Sequence, residues 1–345
     1  MLLPWLGQIE AALAIGALNA LAGLAVCLLA RLRAVWLLAP GTVLVVLAVA
    51  AGSAAGFEVT ARQNLFDDRI VLIEHTQYQE IVLTEGEGSD LRLFLNGDLQ
   101  FSSRDEYRYH EALVHPALAE RHARVLVLGG GDGLAIRELL RHDGVQRVVN
   151  VELDPRMSAL ARDDGRLRAL NGDALRDPRV QVVSADAFSW LRDVRERFDV
   201  VVADFPDPDD AGTAKLYSQE FYDGLRRRAL APGGRLVVQA GSPYFARESF
   251  WGIEATMRAA GWRTTPYHVD VPSFGDWGFV LASPRHAPAL TLRAPRGGER
   301  LRFLDAPTLV AAATFPPDRA RIAVAPSTLN RPRLLDYQRR GYRGY

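Results

Sequence analysis

Glycine and acid recur where the apolar stretches of this chain end. Val125-Leu126-Val127-Leu128 runs into Gly129-Gly130-Gly131-Asp132-Gly133. Glycines there let a backbone turn tightly and approach a ligand closely, although a glycine-rich turn without a ligand reads the same way. About twenty residues on, Val151-Glu152-Leu153-Asp154 puts an acidic side chain where both hydroxyls of a ribose can be held. A third apolar stretch leads to Ala185-Asp186-Ala187, whose carboxylate can accept a hydrogen bond from an adenine amino group. Taken in order, the three ends spell an adenosine site. There is no Gly-Lys-Ser/Thr of the Walker type, and Asp132 would repel a pyrophosphate, which argues against a dinucleotide.

A fourth stretch ends in Asp204-Phe205-Pro206-Asp207-Pro208, with Asp209 and Asp210 beyond. The prolines fix the turn, so Asp204 and Asp207 are expected to be held rigidly on one side of the loop. An acidic turn by itself is usually just solvated. Beside Asp132, Glu152 and Asp186 on neighbouring ends, however, these carboxylates select a cation.

The elements that must place these residues follow from periodicity. Apolar runs at 125–128, 148–151, 180–183, 200–203 and 236–239, separated by helical stretches, predict a doubly wound, mostly parallel Rossmann-like sheet of the class I methyltransferase type over residues 120–285. Before it, short strands at 70–73, 78–83, 91–95 and 99–102, with Asn96-Gly97 as a hairpin turn, predict a small antiparallel β domain over residues 69–115. Residues 286–345 are rich in Pro and Arg and form an extension of unclear role. Residues 9–30 and 34–56 are two apolar runs, each long enough to cross a bilayer, so residues 1–60 read as a transmembrane helical hairpin. Glu10 near the start and the second long run argue against a signal peptide.

Composition narrows the partners. The 41 basic and 41 acidic residues cancel, which removes any global field for nucleic acid. Lys215 is the one lysine, and the single Cys27 excludes an intrachain disulfide and a zinc cluster.

In order, Gln79 within Tyr78-Gln79-Glu80-Ile81, Leu95-Asn96-Gly97 with Gln100, Asp105-Glu106 leading to Tyr109-His110-Glu111, His115-Pro116, the Gly129 loop, Val151-Glu152-Leu153-Asp154, Asp186-Ala187 and Asp204-x-x-Asp207-Pro208 resemble the spermidine synthase family. Tyr217-Ser218-x-Glu220-Phe221-Tyr222, Pro232-Gly233-Gly234 and Gln239 extend the resemblance, which covers roughly residues 69–283. The apolar hairpin resembles the end of a longer membrane region in some bacterial relatives. The resemblance implies that Gln79, His110, Gly129, Gly131, Asp132, Glu152, Asp186, Ala187 and Asp204 surround decarboxylated S-adenosylmethionine, a co-substrate, with no further cofactor and no metal. Asp132 would take its aminopropyl ammonium, Glu152 the ribose and Asp186 the adenine. Tyr109, Asp204, Asp207 and Gln239 would contact a diamine acceptor. The chain departs from the family at Val271-Pro272-Ser273-Phe274-Gly275-Asp276-Trp277, where relatives carry a tyrosine before Pro-Ser. Phe274 and Asp276 stand near that lost hydroxyl, and Trp277 either walls the acceptor channel or belongs to the core.

The expected reaction is displacement at the propyl carbon beside a sulfonium, giving spermidine and methylthioadenosine if putrescine is the acceptor. Asp204 would take the proton that the amine must lose, with Tyr109 orienting it. One rival is a methyltransferase using intact S-adenosylmethionine. Against it, the extra carboxylate about 4 Å from Asp132 would cost about 4 kcal/mol at an effective dielectric of 20. The other rival is a silent membrane-anchored polyamine-binding protein. Because the donor is an intracellular metabolite, the hairpin is expected in the inner membrane with the catalytic domain in the cytoplasm, although Arg31 and Arg33 between the spans argue for the opposite orientation and Arg62 and Arg69 for this one. Pairing into a homodimer is left open.

Overall fold

The computed structural model describes residues 8–63, 66–120 and 123–344, so the first seven residues of the 1–60 hairpin lie outside it. The chain divides into two compact units, residues 1–100 and 101–345.

In the first unit, helices α1 (Gln8–Leu29) and α2 (Val35–Gln63) are joined by a turn in which Arg31 takes a positive φ. Gly16 lets the pair approach, since a Cβ there would stand 3.3 Å from Leu47. Windows at Ala11–Leu29 and Val35–Gly52 have a mean hydropathy of 2.2, long and apolar enough to cross a membrane, and are almost unburied. Four antiparallel strands follow in the order β1 (Arg69–His75), β2 (Glu80–Glu85), β3 (Leu91–Leu95) and β4 (Asp98–Ser102). Asn96 at φ 53° and Gly97 at φ 93° form the turn expected between β3 and β4, because a tight hairpin needs two left-handed residues. Tyr78 and Gln79 fall in the turn before β2, not in the strand, because the Thr76 hydroxyl caps both of their amides at 3.0 Å.

Helix α3 (Glu106–Val114) belongs to the second unit, so the expected β domain at 69–115 ends earlier, at β4. Tyr109 to Val114 of α3 are all buried, and Tyr267 of the main sheet donates its hydroxyl to the Ala112 carbonyl at 2.8 Å. That sheet contains β5 (Arg124–Gly129), β6 (Arg147–Glu152), β7 (Val180–Ser184), β8 (Phe198–Asp204), β9 (Leu230–Gln239), β10 (Arg263–Val271) and β11 (Gly275–Ser283) in the order β10-β11-β9-β8-β5-β6-β7. Strands β5 to β9 run parallel, as their continuous apolar runs predict, and β11 and β10 are antiparallel additions at one end. Helices α4 (Leu134–Leu140), α5 (Pro155–Asp163), α6 (Gly165–Asn171), α7 (Ala187–Asp193), α8 (Ala211–Ala214), α9 (Gln219–Gly224) and α10 (Arg247–Ala259) make the connections. The core on one face gathers Phe221, Leu225, Phe250, Ile253, Met257 and Trp262 against Leu126, Val201 and Leu236.

The tail is part of this unit. Glu111, fully buried, accepts the backbone amides of Arg302, Phe303 and Leu304 at 2.7–2.9 Å. Beyond α11 (Ala306–Ala311), helix α12 (Arg333–Gly341) packs on α10. Leu334 enters the core there, and Gly341 is the close approach, since a Cβ on it would stand 2.6 Å from the Ala246 Cα.

Candidate active site

The connections after β5 and after β8 leave the sheet in opposite directions, which opens a crevice at the carboxyl ends of these two neighbours. Gly129 closes β5 beside Asp204, which closes β8. A Cβ on Gly129 would stand 2.2 Å from the Asp204 carbonyl oxygen, and one on Gly131 would stand 2.7 Å from Glu152 Oε2. The bare glycine turn is therefore what allows three strand ends to bring their carboxylates to one place. Asp132 fixes the turn by accepting the Leu134 amide at 2.8 Å, and Glu152 accepts the Asp154 amide at 3.0 Å.

These carboxylates lie close together, Glu152 buried and Asp132 and Asp204 half-buried, in surroundings that disfavour their charges. Burial pushes Asp204 up to about 6, with Asp132 adding to the shift and His110 and Tyr109 opposing it. Burial, then the neighbouring charges of Asp154 and Asp132, pushes Glu152 up to about 7 against its backbone hydrogen bonds. Asp132 is raised for the same first reason. A cation is what would let all three ionise.

Tyr109 and His110 come from consecutive positions of α3, and their rings meet edge to face at 4.9 Å. The Tyr109 hydroxyl donates to Asp204 Oδ1 at 2.5 Å. Burial and the Asp204 charge hold the phenol well above its ordinary value, so it stays a donor. Burial opposes a charge on His110, but its contact with Glu106, 2.9 Å from Nδ1, outweighs this and raises its pKa. Glu106 is in turn gripped by both terminal nitrogens of Arg137 at 2.9 Å.

Asp207 is held separately. The Gln239 amide donates to Asp207 Oδ1 at 3.2 Å and to the Phe205 carbonyl at 2.6 Å, and Gln338 of α12 donates to Asp207 Oδ2 at 2.6 Å. The Trp277 ring lies tilted against Phe274 at 5.0 Å, and the Phe274 ring lies 6.2 Å from Tyr109.

Asp186 has partners of its own: one carboxylate oxygen caps α7 through the Ser189 amide at 2.8 Å, and the other meets Lys215 Nζ at 2.5 Å. Burial works to raise its pKa, but these partners lower it. Ala187 follows as the first, buried residue of α7. Asp276 contacts His268 at 2.5 Å and Arg319 at 3.0 Å, which ties β10 and β11 to the tail. Gln79 lies in the β1–β2 turn of the first unit, its amide capped by Thr76. Sequence reasoning missed Gln338. The one available signal was a polar residue in the buried stripe Leu334, Tyr337, Gln338, Gly341, which recurs at helical spacing.

A glycine turn on the first strand, an acid closing the second and a carboxylate pair on the fourth stand at the carboxyl ends of a Rossmann-like sheet, the edge where folds of this class take their ligands. The chain belongs to the spermine/spermidine synthase domain family, whose model matches residues 106–293. It is 53% identical over 356 residues to polyamine aminopropyltransferase 1 of Streptomyces coelicolor, covering 100% of this chain and 66% of that protein. It is 47% identical over 352 residues to the polyamine aminopropyltransferase of Mycobacterium tuberculosis, covering 99% and 66%. The chain thus spans a little under two thirds of the length of these relatives. Among solved structures, spermidine synthase from Thermotoga maritima matches with a TM-score of 0.64 and 25% identity, covering 72% of this chain and 84% of that one. A spermidine synthase in complex with a transition state analogue matches at 0.65 and 24% identity, covering 72% and 85%.

Proposed function

We propose that this chain transfers the aminopropyl group of decarboxylated S-adenosylmethionine to a diamine, putrescine, giving spermidine and methylthioadenosine. The observation that carries the reading is the Tyr109–Asp204 pair at the crevice, Tyr109 buried and Asp204 half-buried, facing the charges of Asp132 and His110. An ammonium has no lone pair, so the acceptor first gives a proton to Asp204. Its nitrogen then forms a bond to the propyl carbon, and the carbon–sulfur bond breaks with its electrons going to sulfur. Raised to about 6, Asp204 is a better proton acceptor than an ordinary aspartate and is still ionised above neutrality. Tyr109 remains protonated and orients the pair, while Asp207 anchors the remote ammonium.

On the donor side, Asp132 takes the aminopropyl ammonium and Glu152 the ribose. Asp186 takes the adenine amino group with an acceptor position left beside Ser189 and Lys215, since an ionised carboxylate offers about four. The names of the relatives support the reaction class, and the Asp132 carboxylate beside the glycine turn speaks for the decarboxylated donor over the intact one. The exposed apolar side chains of α1 and α2, among them Leu18, Trp36 and Val49, support an anchor in the inner membrane, and the intracellular donor places the catalytic domain in the cytoplasm. Mass spectrometry of the products formed from both sulfonium donors and a panel of amines tests the reaction. Methylation of any amine, or no transfer from the decarboxylated donor, would overturn it.

A further inference from the structure

The tail beyond the family's matched residues reaches into the acceptor end of the site. Gln338 is 5% exposed and lies against Asp207, on a helix fixed by Leu334 in the core, by Gly341 against Ala246 and by the Arg340–Glu248 ion pair. A carboxylate only accepts, so the Gln338 group 2.6 Å from Asp207 Oδ2 is the amide nitrogen, and the carbonyl oxygen is the other terminal atom. That Oε1 atom is buried and has no hydrogen-bond partner among the described residues. The comparable oxygen of Gln239 is already used by the Gly241 amide at 2.9 Å. An orphaned buried carbonyl oxygen is costly, and a donor brought by a ligand would remove that cost.

We infer that Gln338 is a specificity-determining residue of the acceptor site, where it holds Asp207 and offers its carbonyl oxygen to the remote ammonium of a diamine. An ammonium carries three donors, and Asp207 with Gln338 Oε1 supplies acceptors on one side of the site. The inference rests on the proposed aminopropyl transfer. Its consequence is that α12 decides between acceptors with and without a second positive charge, while the reacting amine is left to Tyr109 and Asp204.

The test compares 1,4-diaminobutane with n-butylamine, which lacks the remote ammonium, using the full chain in detergent with the wild type, Gln338→Met and Gln338→Ala. Methionine keeps the length of glutamine without its polar atoms. The expected result is that KM for the diamine rises about tenfold or more, so that the ratio of kcat/KM for the diamine over n-butylamine falls by about the same factor. The ratio of kcat/KM for the two amines does not depend on the folded fraction, so it reads the contact even in a destabilised variant. An unchanged ratio in both variants would overturn the assignment. Failure of the wild type to transfer to either amine would instead overturn the proposed reaction, and this assignment with it.

Discussion

Asp204 joins chemistry and instability in one atom group. Its folded pKa of about 6 lies above the value for an unfolded aspartate, as does that of Glu152 at about 7. For groups raised on folding, the stabilising contribution is full below the unfolded pKa and is lost as pH rises through the folded one. On account of these two residues the unliganded chain should therefore be more stable near pH 5.5 than near pH 8. Asp204→Asn should then lower transfer by about 100-fold or more while stabilising the unliganded chain at pH 8 by about 1–3 kcal/mol. Turnover together with the thermal midpoint checks both halves, and a variant that lost activity only by unfolding would contradict the assignment. A cationic ligand reverses the linkage, because it favours the ionised carboxylates. Binding of the decarboxylated donor alone should release protons between pH 5.5 and 7.5 and tighten about tenfold or more over that interval. Calorimetry in buffers of different ionisation enthalpy measures this, and affinity independent of pH would count against a carboxylate-lined donor site. The convergence of these residues was legible only in company. Asp132, Glu152 and Asp204 stand out in the sequence because each follows an apolar strand, whereas Gln338 follows none and is a lone amide on a short helix.

At the scale of elements, the parallel strands were readable because each is buried on both faces and so reads as an unbroken apolar run, as in Val125-Leu126-Val127-Leu128. β10 escaped that rule. Its residues Arg263, Thr264, Thr265 and Pro266 look like a loop, and they make a strand because β10 is the edge of the sheet, where a proline without an amide costs no ladder bond. The position of α3 was likewise illegible, since nothing local says that Tyr267, distant in sequence, will bond to the Ala112 carbonyl. The β5 turn, by contrast, gives a sharp test of element-level reasoning. Gly129 has φ 77°, and a Cβ there would fall 2.2 Å from the backbone of β8, where no side chain can move aside. Gly129→Ala should destabilise the second unit by about 2–5 kcal/mol, from the left-handed backbone and the overpacking together. Gly165→Ala, a helix position with nothing near its Cβ, is the control and should shift the thermal midpoint little or upward. Equal midpoints for the two variants would mean that β5 and β8 are free to separate at their ends.

At the scale of the whole molecule, equal numbers of basic and acidic residues leave no net field, so attachment to a surface has to come from apolar area. α1 and α2 supply it: Leu18 is 68% exposed, Leu29 85% and Val49 71%, an apolar display that water penalises and a bilayer does not. The proposed orientation is set by chemistry more than by charge. Arg31 and Arg33 in the short turn favour the cytoplasm for that turn, but charge bias is a statistical preference and a domain that needs an intracellular sulfonium donor has only one workable side. Cysteines placed at Arg31 and at Ser89, both exposed, in a Cys27→Ala background decide the matter when intact cells are treated with a membrane-impermeant thiol reagent. Ser89 suits the purpose because the change exchanges one oxygen for sulfur at a position that already holds a side chain at positive φ. Label is expected at position 31 in intact cells and at position 89 only after lysis. Label at 89 in unbroken cells would put the antiparallel strands outside and separate the chain from its proposed donor, and label at neither position before lysis would mean that the hairpin does not cross the membrane.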